Sequence, residues 1–188
     1  TYDGHSYATV QIGTQCWFAE NLHTTVYADG STIPEVTDDS AWGGLTTGAR
    51  CNYGNDGNNA AICGRLYNWH AVDHASKLCP TGWHEPTHVE YTTLTDFLGG
   101  ALVAGGAMKS SASDSPAWNG TNSSGFSGLA CGYRSSVGNF EGVGNNSIFW
   151  SASTSGANCW SRILHGGNSV VLSTNGRTSG YSVRCVQD

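Results

Sequence analysis

The first residues that could do chemistry are His84-Glu85-Pro86-Thr87-His88. They match the H-E-x-x-H pattern, in which two histidines on one face of a helix hold zinc and the glutamate acts as a general base. Such a site would make the protein a zinc hydrolase. Pro86 argues against it, because proline belongs in the first turn of a helix and disfavours helical geometry at the residue before it. We therefore expect His84 and Glu85 to precede the helix, and we expect no metal site here.

A second histidine pair, His70 and His74, lies on a helix predicted over residues 65–77. The two could ligate a metal together with a third residue from elsewhere, or they could be ordinary side chains at the boundary of the core. We favour the second interpretation. The chain contains no G-x-S-x-G nucleophile elbow, and no catalytic triad can be nominated. The sequence therefore predicts a protein that is not an enzyme and needs no cofactor.

The chain has seven cysteines, and none of them are spaced as C-x-x-C. They are Cys16, Cys51, Cys63, Cys79, Cys131, Cys159 and Cys185. This spacing does not suit a four-thiolate zinc site, so disulfides are the better interpretation. Six paired cysteines would leave one thiol free, with the connectivity open. Disulfides favour an extracellular or cell-surface location, or a phage particle.

Composition excludes further classes of protein. Only 12% of the 188 residues are charged, and the net charge is −6, so a surface that neutralises phosphates is not expected and nucleic acid is not a predicted partner. No stretch approaches 18 consecutive apolar residues, so no membrane insertion by this domain is expected. The 26 glycines indicate a loop-rich chain, and 7 Trp, 8 Tyr and 5 Phe supply enough apolar anchors for one folded domain.

The pattern of apolar residues predicts an α+β fold. Residues 7–12 alternate with the period of a strand, and helices are predicted over 65–77 and from Pro86 or Thr87 to Leu98. After Trp118 the chain breaks into short strand-like pieces at 128–133, 148–151, 159–164, 169–172 and 181–186. Two helices followed by a series of hairpins predict a small, mainly antiparallel sheet.

Several motifs in fixed order then suggest a family. They are Ile12-Gly13-Thr14-Gln15-Cys16-Trp17, Glu20-Asn21-Leu22, Gly64-Arg65-Leu66-Tyr67-Asn68-Trp69, Leu78-Cys79-Pro80-Thr81-Gly82-Trp83-His84, Gly132-Tyr133-Arg134, Phe149-Trp150-Ser151 and Gly180-Tyr181-Ser182-Val183-Arg184-Cys185-Val186. With these motifs the chain resembles the Fibrobacter major paralogous domain family, which shares a C-type-lectin-like fold with variable proteins of diversity-generating retroelements. The resemblance implies a single lectin-like domain over 1–188, with a strand and loop collar over 1–64 and a core over 65–188.

The resemblance also bears on the cysteines. Cys79 and Cys185 look like the family pair that ties the helical region to the last strand. The family has glycine where this chain has Cys131, which suggests an additional disulfide with another cysteine such as Cys159.

In the variable proteins that the chain resembles, adenine-directed mutagenesis of Asn codons scatters residues along the final hairpins. Such mutagenesis cannot produce Lys, Gln, Glu or Met, and residues 142–186 contain none of these. The candidate ligand-binding residues are Trp160, Ser161, Ile163, His165, Gly167, Asn168, Val170, Leu172, Thr174 and Asn175. Alternation places residues 161, 163 and 165 on one face of a strand, which we expect to be exposed, while Trp160, Arg162, Leu164 and Val171 look like scaffold.

We expect Ile163, Val170 and Leu172 to be exposed and to form, with Trp160, the apolar centre of a binding surface with a polar rim. The expected function is display of this diversified surface to an unknown protein ligand, such as a cell-surface receptor. Two alternatives stay open, a surface structural module without diversification and a carbohydrate-binding lectin-like module. The chain has no Glu-Pro-Asn or Trp-Asn-Asp calcium motif, so calcium dependence is not expected.

Overall fold

The chain forms eleven short strands, five short α-helices and one 3-10 turn, in a computed structural model that describes residues 1–188. The strands are β1 Thr9–Ile12, β2 Gln15–Phe18, β3 Arg50–Cys51, β4 Leu66–Tyr67, β5 Trp83–His84, β6 Cys131–Arg134, β7 Phe140–Val143, β8 Ser147–Ser155, β9 Asn158–Leu164, β10 Val170–Asn175 and β11 Val186–Gln187. The helices are α1 Asp39–Gly43, α2 Gly57–Cys63, α3 Trp69–Val72, α4 His88–Phe97 and α5 Ala104–Met108, and the 3-10 turn is Tyr53–Asn55. The α+β class predicted from the sequence is confirmed. Even α4, the longest helix, has ten residues, and none of the helices could cross a membrane.

The strands form three sheets. One sheet has the order β1-β2-β11-β5, so strands from both ends of the chain pair side by side, with Val186 opposite Trp17. A larger sheet has the order β10-β9-β8-β6-β7, and β3 pairs with β4. All neighbouring strands are antiparallel except β6 and β8, which meet in parallel at Gly132 and Ser147. The expectation of mainly antiparallel pairing is therefore confirmed.

The predicted helix over 65–77 is largely wrong. Leu66 and Tyr67 form β4, and only the four residues of α3 are helical. Tyr67 exchanges two backbone hydrogen bonds with Tyr181 near the end of the chain, and this pairing holds the segment extended. Asn68 then caps α3 by accepting from the Ala71 amide. Long-range pairing overrides the local helical pattern here.

The second predicted helix is confirmed as α4. Thr87 and Glu90 form a capping box, in which the Thr87 hydroxyl accepts from the Glu90 amide and the Glu90 carboxylate accepts from the Thr87 amide. The expectation of only two helices is wrong, because α1, α2 and α5 are also present. The side chains of Asp38 and Asp56 cap α1 and α2. These helices have five to seven residues, which is too short to show a helical repeat.

Two disulfides form, and one of them was expected. Cys79 pairs with Cys185, as the family resemblance implied. The suggested partner of Cys131 was wrong, because Cys131 pairs with Cys63 at the end of α2. Cys159 is a free, buried thiol on β9, and Cys16 and Cys51 are also free. Three thiols are thus unpaired where one was expected.

The larger sheet is covered on both faces. Along β8, Ile148 and Trp150 belong to one core cluster with Trp69, while Phe149 between them belongs to another cluster with Tyr91 of α4. Because successive side chains of a strand point to opposite faces, these two clusters lie on opposite sides of the sheet.

Buried cations hold the loops to this core. Five of the eight Lys and Arg residues are buried, namely Arg50, Lys109, Arg134, Arg162 and Arg184. The Arg184 guanidinium donates to the side chain of Asn21 and to the carbonyls of Phe18, Phe126 and Ser127. It also lies 4.3 Å from the centroid of the Phe126 ring. Arg184 therefore ties the last segment of the chain to loops from both halves.

We expect Arg184→Gln to lower the free energy of unfolding by about 3 to 5 kcal/mol, because it leaves buried carbonyls without a charged donor. Urea denaturation measures this. Lys77→Gln is the matched control, because Lys77 is exposed and makes no ion pair. A loss below about 1 kcal/mol in Arg184→Gln, which is the scale of an exposed charge, would contradict a structural role for this residue.

Candidate functional site

The residues predicted to bind a ligand all lie on strands β9 and β10 and the turn between them. The two strands are antiparallel, with Trp160 opposite Thr174, Ser161 opposite Ser173, Arg162 opposite Leu172 and Leu164 opposite Val170. The structure therefore brings the predicted residues together on one hairpin. It does not bring them to one surface.

The predicted residues divide between the two faces of the hairpin. Trp160, Leu172 and Thr174 share the face that packs against α4, whereas Ile163 and Asn175 share the other face. The expectation of a single exposed face over 161, 163 and 165 is wrong. The reason is that β9 is an inner strand, between β8 and β10, of a sheet that is covered on both sides.

Burial corrects the exposure expected for four residues of the hairpin. Ser161 is fully buried and its hydroxyl accepts from the Asn175 side chain, while Val170 is only 4% exposed and belongs to the core. Val170 is therefore not part of an exposed apolar centre. Val171, which was expected to be scaffold, is 41% exposed, and Leu172 is 46% exposed. Ile163 is partly buried against the core.

Trp160 and Arg162 connect the hairpin to the first turn of α4. The Trp160 ring lies 4.7 Å from the His88 ring, measured between centroids. Arg162 donates to the His88 carbonyl at 2.9 Å and lies 5.4 Å from the centroid of the Tyr91 ring. Burial lowers the pKa of Arg162. These contacts are consistent with a scaffold role for Arg162, and they leave Trp160 half-buried at the rim.

Lys109 holds the turn between β9 and β10 through hydrogen bonds to its backbone. Its ammonium group is buried and donates to the carbonyls of His165 and Gly167 at 2.9 and 2.7 Å, and to the Asn119 side chain at 2.8 Å. Burial lowers the pKa of Lys109. Helix α5 approaches closely as well, because a Cβ on Gly105 would lie 2.7 Å from the Ser169 carbonyl oxygen. The turn is therefore supported by a buried charge and by close backbone packing.

Strand β10 lies at the edge of its sheet. The Val170 amide points away from β9, since it donates to the Ala101 carbonyl at 2.7 Å. By the alternation of an antiparallel strand, the amides and carbonyls of Leu172 and Thr174 also point outward, and they have no backbone partner. The strand contains no charged residue. The edge is therefore open, neutral and partly apolar.

The H-E-x-x-H motif does not form a zinc site. His84 lies in β5 and α4 begins only at His88, so the two imidazoles are not on one helix, as Pro86 predicted. Glu85 is buried and accepts from the amides of Leu78 and Cys79. Nε2 of His84 instead lies 2.7 Å from Oε1 of Glu90. Although burial acts to lower the pKa of His84, its contacts with Glu90 and Asp188 raise that pKa overall.

The other histidine pair, His70 and His74, does not lie on one helix. His70 lies in α3, but His74 lies beyond its end and stacks on Tyr27 with ring centroids 4.1 Å apart. A different group of metal-ligating side chains, formed by His5, Glu20 and His23, comes together in the fold and was not predicted from the sequence. Burial, with the neighbouring His5, lowers the pKa of His23 to about 4, so this imidazole is neutral at pH 7. No motif joins three residues at these spacings, so only the fold reveals the cluster.

One family model, described as the Fibrobacter succinogenes major domain, matches residues 10–187. The chain belongs to this family. No curated protein and no solved structure shows a significant match. The match to the Fibrobacter succinogenes major domain covers the five-stranded sheet, both disulfides and the β9–β10 hairpin. In the cluster of His5, Glu20 and His23, His5 lies outside the matched residues.

For the hairpin of this Fibrobacter-family domain, we expect Lys109→Met to loosen the turn between β9 and β10. Removing the ammonium leaves two backbone carbonyls without their donor, at a cost of about 1 to 3 kcal/mol. In the variant, hydrogen exchange at the amides of residues 165–169 should be faster than in wild type, whereas exchange at the amides of α4 should not change. Equal protection of the turn in wild type and variant would show that Lys109 does not hold it. Lys77→Met provides the control for loss of a lysine charge at an exposed position.

Proposed function

We propose that this domain binds a protein ligand through strand β10 and the exposed side chains of the β9–β10 hairpin. The observation that carries the proposal is the uncharged edge strand, on which the consecutive residues Val171 and Leu172 are 41% and 46% exposed. Edge strands without charges or cover are sites of strand addition, and natural proteins usually block them. An open edge that is left apolar is therefore suited to an extended segment of a partner.

The two faces of the hairpin give such a partner different contacts. On the α4 side, Leu172 and Thr174 lie beside the half-buried Trp160 and His88 rings. On the other side, Val171 lies opposite Ile163, with Ser173 and Asn175 further along the strand. Apolar side chains at the centre with hydroxyl and amide groups around them are typical of protein interfaces. The rigid turn lowers the entropy that binding would cost.

The proposal includes the finer expectations drawn from the family resemblance. In it the domain has a C-type-lectin-like fold, is a variable protein of a diversity-generating retroelement, and is displayed extracellularly, on a cell surface or on a phage particle. The two disulfides support an oxidising location. The hairpin supports diversification in one respect, since Lys109 holds its turn through the backbone carbonyls of His165 and Gly167, which every residue type provides.

Sequencing the gene and its flanking DNA across the source population tests the diversification. We expect substitutions to concentrate at the exposed or half-buried positions of the candidate set other than the scaffold residue Trp160, beside a near-copy with Asn codons and a reverse transcriptase. These positions are Ile163, His165, Gly167, Asn168, Leu172, Thr174 and Asn175. The buried Ser161 and Val170 should vary less, and Arg162 not at all. Uniformly invariant positions would contradict diversification and favour a surface structural module.

A direct binding test uses the two edges of the same sheet. Peptides selected from a random displayed library on the immobilised domain should bind wild type but bind Leu172→Lys at least about tenfold more weakly, because a charge on β10 blocks strand addition. Val143→Lys is the matched control, since Val143 is exposed on β7 at the opposite edge. Selected peptides that bind both variants equally would overturn the role of β10.

The same variants distinguish the other occupants. If the wild-type domain sediments as a dimer and Leu172→Lys as a monomer, β10 pairs with a second copy of this chain and the proposal of a separate partner fails. Binding to a glycan array that Trp160→Ala abolishes and Leu172→Lys leaves intact would favour the carbohydrate-binding alternative.

A further inference from the structure

A cluster of three metal-ligating side chains lies far in sequence from the hairpin. Ligand atoms of His5, Glu20 and His23 all lie within 4.8 Å of one another. His5 Nε2 is 2.8 Å from Glu20 Oε2, and the His5 and His23 rings stack with centroids 4.0 Å apart. All three side chains are partly buried, so none is a freely moving surface group.

The backbone positions each member of the cluster. His5 closes a turn with Tyr2, with which it exchanges two backbone hydrogen bonds. Glu20 follows β2, and its Oε1 accepts from the Ala8 amide, which leaves Oε2 directed at His5. The amide of His23 donates to the hydroxyl of Tyr7. Three separate segments therefore hold the three side chains side by side.

The cluster also faces open space. Glu20 and His23 line a cavity of about 430 Å³, and His5 and His23 line a second cavity of about 590 Å³. Asp3 lines the second cavity and adds negative charge there. Arg65 also lines this cavity, and its guanidinium group donates hydrogen bonds to the His23 carbonyl and to the Asn52 side chain. A ligand atom or water from either cavity could reach an ion held by the cluster.

We propose that His5, Glu20 and His23 form a binding site for a zinc-type divalent ion, with a fourth coordination position open to the cavities. Two imidazoles and one carboxylate with one open position are a known zinc ligand set. Imidazole ligands select zinc and its transition-metal neighbours over calcium and magnesium, which prefer sites made of oxygen alone. Tetrahedral coordination requires ligand atoms about 3.3 Å apart, and the ion must lie near the plane of each imidazole that binds it. The stacked rings of His5 and His23 therefore have to rotate out of their parallel arrangement for a nitrogen of each to reach the ion.

This site is independent of the proposed ligand-binding function. None of its ligands lies on β9 or β10, and His5 precedes the residues 10–187 that match the family. Membership of the family therefore does not imply it.

Titration calorimetry with zinc chloride on chelator-treated protein tests the proposal. We expect one zinc ion per chain, and no displacement of zinc by a large excess of calcium. His23→Gln should weaken zinc binding at least about tenfold, because it removes a ligand while the contact between His5 and Glu20 remains. A Cys16→Ser background removes the one free thiol that is not buried.

The matched control is His84→Gln. Its imidazole contacts the carboxylates of Glu90 and Asp188 at 2.7 Å each, but no second histidine lies with them. This variant should bind zinc as wild type does. The proposal is overturned if wild type binds no zinc at micromolar concentrations, or if His23→Gln binds it with unchanged affinity. Urea denaturation of each metal-free variant separates loss of the site from loss of the fold.

Discussion

Buried cations that donate to backbone carbonyls are the interaction on which this structure depends. Of 96 backbone hydrogen bonds, only 35 lie within helices and strands, so most backbone pairing is made by turns and loops outside regular elements. Arginine offers five donors on one rigid group and can satisfy several carbonyls at once. Arg134 does this for Val36, Thr37 and Gly138, and Arg184 does it for loops on either side of the core. Aromatic rings at Trp42 and Phe126 stack on these guanidinium groups and shield them from water.

The covering of the sheet explains where a partner can bind. Core clusters occupy both faces of the larger sheet, so the usual division into one buried and one exposed face does not apply. The side chains of inner strand β9 are buried or half-buried apart from that of Asn158, and the free backbone groups lie at the edge, on β10. The edges of sheets are normally blocked by charged side chains, yet five of the eight Lys and Arg residues of this chain are buried. A low-charge sequence with buried arginines thus leaves an edge that is open to pairing.

A structural feature can be predicted from the sequence when residues close together along the chain determine it, and is harder to predict when distant residues determine it. Helix α4 is decided locally, by Pro86 and the capping box of Thr87 and Glu90, and it was predicted well. The conformation of residues 65–77 is determined by the pairing of Tyr67 with Tyr181, more than 100 residues away, so its helical pattern of apolar residues gave a wrong prediction. The pairing of Cys79 with Cys185 came from the family resemblance, whereas Cys63 with Cys131 had no such precedent. The cluster of His5, Glu20 and His23 has no spacing that a motif could capture, since three separate segments build it.

In the β9–β10 hairpin, the contacts that stabilise the backbone are largely distinct from the exposed side chains that a ligand would contact. Lys109 and Arg162 contact the turn and α4 mainly through carbonyl groups, so changing the side chains at 168 or 172 removes none of these bonds. The same cannot hold at Ser161, whose hydroxyl is buried and bonded to Asn175, or at Val170, which fills the core. Tolerance to substitution therefore follows burial on each strand and not simple alternation along it. A surface that changes while its support stays constant requires this arrangement, because most substitutions at exposed sites cost little stability.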